Sequence, residues 1–239
     1  MSSVPTMPGS QSPLQVAMLI YPGMTLRDLA GPQAALGMHG KTHLVWKTME
    51  PVPTDSGISL LPTATFADCP DDLDVLFVPG GFGSNEAMED AEVLRFLAER
   101  GPRARYVTSV CSGSLILGAA GLLDGYKAAT HWACYGALEA LGVTAEHRRV
   151  AVDRNRFTGG GVTAGIDFGI TLLAELRGEM VAKMTQLAME YDPKPPFNVG
   201  TPESAGPELT AMAMAMMQDM VDRAVEIGRG MPRNQASAA

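Results

Sequence analysis

Residues 105–123 read RYVTSVCSGSLILGAAGLL, and the residue pattern changes in the middle of this stretch. The part that ends at Val110 is rich in β-branched and aromatic residues, which predicts a strand. The apolar residues 115–117 predict a helix in the second part. Cys111 lies at the change, and the small or cap-forming residues after it permit a sharp turn. The stretch predicts a nucleophile elbow, with a reactive atom at the carboxyl end of a strand facing a helix N-terminus.

Two interpretations of Cys111 are available. Most lone cysteines are buried small apolar residues. A core cysteine does not need a Ser-Gly-Ser turn after it, so the position favours catalysis. The positive end of the helix favours thiolate over thiol, and we therefore expect the Cys111 thiol to have a lower pKa than a free cysteine.

The composition excludes several functional classes. The chain has 239 residues, of which 46% are hydrophobic, enough for one substantial α/β domain. The net charge of −8 and the absence of Lys/Arg runs disfavour a nucleic-acid surface or an anionic-membrane surface. No apolar run is long enough to span a bilayer.

The spacing of the cysteines and the composition of the first residues predict the cellular location of the protein. Cys69, Cys111 and Cys134 are far apart in the sequence, which favours a reducing, cytoplasmic environment and disfavours a zinc site. Residues 1–13 are rich in Ser, Pro and Gly and lack the regions of a signal peptide, so they are predicted to form a disordered leader.

Asp28 follows the first predicted strand, residues 14–20. It stands three residues after Thr25, the spacing of a capping box at a helix N-terminus. The same loop lies at the carboxyl edge of a parallel sheet, where ligand sites of α/β proteins form. The pattern leaves the structural and the functional interpretation open.

A glycine-rich loop, PGGFG, follows the buried strand predicted at residues 74–78. Gly80 and Gly81 allow backbone N–H groups to approach a ligand closely. The loop does not match the GxGxxG fingerprint of dinucleotide sites. We therefore interpret it as an amide nest for a developing negative charge. A single amphipathic helix is predicted over residues 85–100.

Two further segments follow the elbow. His131 could pair with the thiolate or take a structural role at a helix start, and the pattern slightly favours the structural role. A hairpin is predicted over residues 149–157. The three glycines that follow, Gly160 among them, predict close packing, from their position against the elbow.

The C-terminal part is predicted to be an addition to the α/β unit. A Pro-rich arm, residues 191–207, precedes one helix at about 208–227 that carries a Met-rich stripe. Such a stripe is more often packed or partner-facing than a cofactor site, and the addition suggests a dimer contact.

Several motifs together resemble one known family. RYVTSVCSGSLILGAAGLL, ATHWA, FTGGGVTAGIDF and YDPKPPFN are similar to the ThiJ/PfpI superfamily and, within it, to the isocyanide hydratases. The resemblance runs from about residue 14 to about residue 202. It implies a flavodoxin-like three-layer sandwich with a mostly parallel central sheet, a fold like that of class I glutamine amidotransferases. It also implies a homodimer that uses no metal and no cofactor.

The resemblance also implies boundaries. The ThiJ/PfpI-like domain is expected at residues 14–204, with a C-terminal helix and tail at residues 205–239 on the domain or its dimer partner. Related transcription regulators carry a helix-turn-helix pair after this domain. Only one predicted helix follows Pro207 here, which disfavours that class.

The resemblance assigns roles to residues of the site. Cys111 is the nucleophile and Asp28 the acid–base partner, in a hydration of an isocyanide to a formamide through a covalent thioimidate. Ser112 stands where isocyanide hydratases commonly have threonine and keeps the hydroxyl, so we expect it to hold Asp28 or the substrate nitrogen. An early Asp, where much of the superfamily has Glu, favours the hydratases over glyoxalase-like members.

The rest of the expected site binds the substrate and stabilises charge. Backbone N–H groups near Gly81 and Ser112 are expected to stabilise the developing charge, and Gly80 and Gly160 are expected among the residues that bind the substrate or the oxyanion. Trp132 and Val162 form an apolar wall for the isocyanide substituent. Two alternatives remain: a glyoxalase- or deglycase-like enzyme acting on 2-oxoaldehydes, and a non-enzymatic redox sensor in which the nucleophilic cysteine is oxidised.

Overall fold

The structure is a computed structural model that describes residues 12–231, so residues 1–11 of the predicted leader lie outside the described residues. The strands are β1 Leu14–Leu19, β2 Gly40–Trp46, β3 Val52–Pro53, β4 Ser59–Leu60, β5 Ala64–Thr65, β6 Val75–Val78, β7 Tyr106–Val110, β8 Lys127–Ala128, β9 Thr144–Ala145, β10 Val150–Asp153 and β11 Arg156–Gly159. The helices are α1 Leu26–Leu36, α2 Ser84–Glu89, α3 Ala91–Arg100, α4 Gly113–Ala119, α5 Tyr135–Ala140, α6 Ala164–Arg177, α7 Glu179–Ala188, α8 Pro202–Ala215 and α9 Gln218–Gly230, with 3₁₀ turns at Gly37–His39, Gly101–Arg103 and Trp132–Cys134.

The central sheet has the order β10-β11-β7-β6-β1-β2-β5. Every pairing in it is parallel except that of β10 with β11. One group of packed helices consists of α1, α6 and α7, and a second group includes α2, α4, α5 and α9. The predicted mostly parallel sheet with flanking helices is confirmed, and so is the predicted hairpin, which is formed by β10 and β11.

The middle strands explain why the chain folds this way. Every residue of β6 and β7 is buried, as expected for parallel strands covered by helices on both faces. The carboxyl ends of β1, β6 and β7, which are adjacent in the sheet, lie at one edge. The loops that follow them, which carry Asp28, Gly80 and Cys111, therefore meet at that edge.

Close packing of α1 on α6 fixes the position of Asp28. A Cβ on Gly165 would lie 2.9 Å from Pro32 Cδ, and a Cβ on Gly169 would lie 2.9 Å from the Cβ of Ala35. These glycines of α6 thus let α1 approach more closely than larger residues would allow. The first turn of α1, with Asp28, is held at the sheet edge as a result.

The predicted helix over residues 85–100 is two helices, α2 and α3. Asp90 separates them with extended backbone (φ −82°, ψ 105°). Its side chain accepts hydrogen bonds from the N–H groups of Glu92 and Val93, which caps α3. The amphipathic pattern continues across this break, so the periodicity alone did not reveal it.

The prediction of one C-terminal helix is wrong, since the segment forms both α8 and α9. Within α8 the backbone leaves the helical region at Gly206 (φ 79°). The break between α8 and α9 contains neither Pro nor Gly, and no sequence signal marks it. α9 packs against α5 and α2, and its Arg223 pairs with Glu89 at 2.6 Å. None of the helices within residues 12–231 is long and apolar enough to cross a membrane.

Candidate active site

The predicted nucleophile elbow is present between β7 and α4. Cys111 has a φ of 58°, a left-handed conformation that is uncommon for a residue other than glycine. Its N–H donates to the carbonyl oxygens of Gly160 at 2.7 Å and Gly159 at 3.1 Å. Its own carbonyl accepts a 3.0 Å hydrogen bond from Thr130 Oγ1. These bonds hold the strained residue, and they confirm that the glycine cluster packs against the elbow.

Glycine is required where β6 ends beside the elbow. A Cβ on Gly80 would lie 2.5 Å from the Ser112 nitrogen, and one on Gly113 would lie 2.2 Å from the carbonyl oxygen of Val78. Real Cβ atoms do not approach backbone atoms this closely. The loop after β6 therefore reaches the elbow because both positions lack side chains.

Asp28 is fully buried beside the elbow. Its Oδ2 accepts a 2.9 Å hydrogen bond from the N–H of Gly80. Its Oδ1 is buried with no hydrogen-bond partner among the described residues. The Thr25 side chain makes no capping bond to α1, so the capping box is not formed. Of the two interpretations left open by the sequence, the structure favours the one that places Asp28 in a site.

Burial raises the pKa of the Asp28 carboxyl from 3.8 to about 7. The Gly80 N–H and the neighbouring Cys111 thiol act in the opposite direction and favour the carboxylate. Near neutral pH this carboxyl can therefore both take up and release a proton, which suits a general acid–base group.

The expectation of an acidic Cys111 thiol is wrong for this structure. Burial raises the pKa of the thiol well above its usual value, and the nearby Asp28 carboxyl raises it further. The backbone N–H of Ser112 lowers it, as expected at a helix N-terminus, but this effect is smaller than that of burial. At neutral pH the sulfur thus keeps its proton, with Asp28 next to it as the base.

The side chain of Ser112 makes contacts other than the expected ones with Asp28 or the substrate nitrogen. Its Oγ accepts a 3.0 Å hydrogen bond from the Gly81 N–H and lies 2.7 Å from Ser84 Oγ. Ser84 Oγ is in turn 3.3 Å from the hydroxyl of Tyr21, which donates to the Pro79 carbonyl at 2.9 Å. The hydroxyl of Ser112 therefore joins the glycine loop to the elbow, and the N–H of Gly81 is already used within the protein.

A small cavity of about 90 Å³ opens beside Cys111. It is several times larger than the roughly 10–15 Å³ that one water molecule needs. The lining residues are mostly apolar: Thr25, Gly81, Phe82, Cys111, Ser112, His131, Cys134, Val162, Met217 and Met220. The cavity can hold a small, largely apolar molecule next to the sulfur.

The predicted substrate-binding residues are divided between this lining and its surroundings. Gly81 and Val162 line the cavity, whereas Gly80, Trp132 and Gly160 are outside the lining. Gly80 and Gly160 instead position Asp28 and Cys111 through backbone hydrogen bonds. Trp132 contacts His131, with ring centroids 5.4 Å apart.

His131 lines the cavity but has the structural role that the sequence favoured. Its Nδ1 accepts a 3.3 Å hydrogen bond from the N–H of Ala133 at the start of the 3₁₀ turn Trp132–Cys134. Burial lowers the pKa of its imidazole, so the ring is neutral at physiological pH. Within residues 12–231, no three His, Cys, Asp or Glu side chains are grouped so that they could hold a metal ion.

Sequence reasoning missed several residues of the site. Phe82 belongs to the glycine loop already singled out, and Ser84, which supports Ser112, directly follows that loop, so position in the sequence gave a signal for both. Met217 and Met220 come from the C-terminal segment, and only the unusual density of methionine pointed to them. Their place beside Cys111 depends on the break between α8 and α9.

Known proteins provide an independent comparison. A model of the DJ-1/PfpI family matches residues 14–175. The chain belongs to the DJ-1/PfpI family. The predicted resemblance is thus confirmed, and the match includes Asp28, Gly80 and Cys111 but ends before α7.

Individual relatives differ in how much of their length is shared. The chain is 50% identical over 194 residues to the isonitrile hydratase of Pseudomonas putida, which covers 80% of this chain and 85% of that protein. A ThiJ/PfpI family protein from Pseudomonas syringae has a crystal structure with a TM-score of 0.90 and 49% identity, covering 97% of this chain and 95% of that one. The transcriptional regulator GbdR of Pseudomonas aeruginosa is 30% identical over 75% of this chain, but only 52% of the regulator is matched.

The raised pKa of Asp28 predicts a specific pH dependence of stability. Between about pH 4 and pH 7 the folded protein holds a proton on Asp28 that the unfolded chain has released, so stability falls as pH rises. Over this window the buried carboxyl should cost the wild type on the order of 4 kcal/mol. Asp28→Asn, which keeps an acceptor for the Gly80 N–H, should lack this loss and be the more stable protein at pH 7. Denaturant unfolding at a series of pH values measures the difference.

Asp72→Asn is the matched control, because the Asp72 side chain is fully exposed. Its unfolding free energy should follow the wild type across the same pH range. A constant difference between the wild type and Asp28→Asn from pH 4 to pH 7 would show that the pKa of Asp28 is not raised.

Proposed function

We propose that this chain is an isocyanide hydratase, which adds water to R–N≡C to give the N-substituted formamide. The observation that carries the proposal is a buried carboxyl of raised pKa beside the Cys111 thiol, which itself lines a small apolar cavity. The 50% identity to an isonitrile hydratase over most of both chains supports the same activity. An isocyanide has no hydrogen-bond donor and a usually apolar substituent, which suits such walls.

In the first step, the Asp28 carboxylate accepts the proton of the Cys111 thiol. The sulfur then forms a bond to the terminal carbon of the isocyanide, and that carbon's lone pair takes the proton back from Asp28. The product is a neutral thioimidate, R–N=CH–S–Cys111. The proton moves only within the buried pair of Cys111 and Asp28, so the step creates no net charge in the apolar site.

In the second step, water adds to the same carbon. The Asp28 carboxylate takes a proton from the water and passes it to the substrate nitrogen, giving a tetrahedral intermediate. Collapse of this intermediate forms the C=O bond, breaks the C–S bond and returns the hydroxyl proton, through Asp28, to the sulfur. The released product is R–NH–CHO. We assign stabilisation of the developing charge to the N–H of Ser112, which already acts on the sulfur.

The remaining predicted residues have positioning roles in this proposal. Ser112 Oγ holds the loop at Gly81, while the Gly80 N–H orients Asp28 and the carbonyl oxygen of Gly160 fixes the elbow. Val162 forms part of the wall against the substituent. No step of the proposal requires Trp132, which is outside the cavity lining.

We also propose a cytoplasmic homodimer. The three cysteines are free, which is consistent with a reducing environment. On α7 the exposed apolar residues Met180, Met184 and Leu187 lie on one face, since they are four and three residues apart. Such a patch marks an interaction surface. α9, in contrast, packs on its own domain, so we assign the dimer contact to α7 and the neighbouring arm.

Loss of the nucleophile tests the activity directly. Cys111→Ala should abolish formation of formamide from cyclohexyl isocyanide, because no thioimidate can form. Cys69→Ala is the matched control: its sulfur contacts the carbonyl oxygen of Pro70, away from the cavity, and it should keep most of the activity. Product is quantified by liquid chromatography. Conversion of methylglyoxal to lactate by a wild type that makes no formamide would replace the proposal with the 2-oxoaldehyde alternative.

Asp28→Asn should lower kcat by roughly a hundredfold or more, as for loss of a general acid–base group. Asparagine keeps the acceptor for the Gly80 N–H but cannot carry the proton between sulfur and carbon. Steady-state kinetics beside the melting curve separate chemistry from folding, with Asp72→Asn again as control. A folded variant with near-normal kcat would remove Asp28 from the mechanism.

The dimer contact is tested by placing a charge on the exposed face of α7. Leu187→Glu should convert the dimer to monomer, because burying a carboxylate in an apolar contact is unfavourable. Met49→Glu, at a loop residue that is about half exposed, is the control and should stay dimeric. Sedimentation velocity measures both. A monomeric wild type, or a Leu187→Glu dimer of unchanged stability, would show that this face is not the contact.

A further inference from the structure

The C-terminal helix α9 and the residue before it form one wall of the cavity that contains Cys111. Met217 and Met220 line this cavity, although they are more than a hundred residues from the elbow in sequence. We propose that these two methionines bind the substituent of the isocyanide and set the largest substituent that the enzyme accepts. The inference rests on the proposed function and extends it to the choice of substrate.

The shape of the substrate supports this assignment. The R–N≡C group is linear, so a molecule whose terminal carbon meets the sulfur must extend its substituent along the cavity, away from Cys111. The proton-transferring group, Asp28, and the hydroxyl of Ser112 are on the side of the elbow. The large apolar side chains that remain in the lining are Phe82, Val162, Met217 and Met220. Two of these four come from the C-terminal segment.

The backbone of the methionine wall is held in place by several contacts. Asn85 Nδ2 donates to the carbonyl oxygen of Met220 at 3.0 Å, which ties α9 to the helix that follows the glycine loop. The ion pair of Arg223 with Glu89 joins the same two helices. Val221 and Ala224 of α9 are buried. The position of the wall is thus fixed relative to the elbow.

The side chains of this wall can adjust even though its backbone is held. Met217 and Met220 are half-buried and pack against the core. Methionine is unbranched and polarizable, so it fills irregular space around different apolar groups. Both residues lie beyond residue 175, where the match to the family model ends. The wall can therefore differ between relatives while the reacting groups stay the same.

The test compares isocyanides of different size in wild type and variants. We use kcat/KM for methyl, tert-butyl and cyclohexyl isocyanide. Met217→Ala and Met220→Ala, singly and together, should raise the ratio of cyclohexyl to methyl kcat/KM by about tenfold or more, the scale of discrimination by an apolar pocket. Met217→Trp and Met220→Phe should lower the same ratio, because they fill the space. Met220→Leu, which nearly conserves volume, should leave it within about threefold.

Met216→Ala is the matched control, since Met216 stands at the same helix break but is 82% exposed and outside the cavity lining. Its ratio should equal that of the wild type. If the alanine variants do not fold, the ratios measured for Met217→Trp and Met220→Phe test the inference, because these substitutions remove no packed side-chain volume. Unchanged ratios in folded variants of an active enzyme would overturn the inference and leave the proposed function intact. A wild type inactive on all three isocyanides would overturn both.

Discussion

The contact between the Asp28 carboxyl and the Cys111 thiol is the constraint on which the site depends. Both groups are buried, and burial raises the pKa of each. Two neighbouring negative charges in an apolar site would repel each other strongly, so the pair keeps at least one proton near neutral pH. The surrounding structure must hold the two groups together despite the desolvation cost, and it does so through backbone contacts rather than through charged side chains.

Those contacts explain the distribution of glycine. Gly80 and Gly113 allow the end of β6 to touch the elbow, and Gly165 and Gly169 allow α1, with Asp28, to pack closely on α6. A side chain at any of the four would separate groups that must meet within a hydrogen bond's length. Stability and activity are therefore coupled in this fold, because the residues that permit tight packing are also those that place the carboxyl beside the sulfur.

Prediction from the sequence succeeded where a signal was local. The strand-to-helix change at Cys111 and the hairpin formed by β10 and β11 have patterns in adjacent residues, and both are present. The pKa of Cys111 could not be predicted in the same way, because the burial that raises it comes from segments distant in sequence. The break between α8 and α9 likewise has no local signal, and the place of Met217 in the cavity follows from tertiary packing. The hydrogen bond between Ser112 and Gly81 could not be predicted either, because it depends on how close two loops lie in the folded chain.

The protonated state of the pair also bears on which chemistry fits this site. Oxidation of a cysteine by peroxide requires the thiolate, and a thiol of raised pKa reacts slowly in that way. A redox-sensing role therefore gains no support from this environment. Addition to an isocyanide differs from oxidation, because the thiol proton ends on the carbon that the sulfur attacks. The base that removes the proton and the acid that delivers it can be the same buried carboxyl, Asp28. A pair that shares one proton and exchanges none with solvent during bond formation is suited to a neutral, apolar substrate in a small apolar cavity.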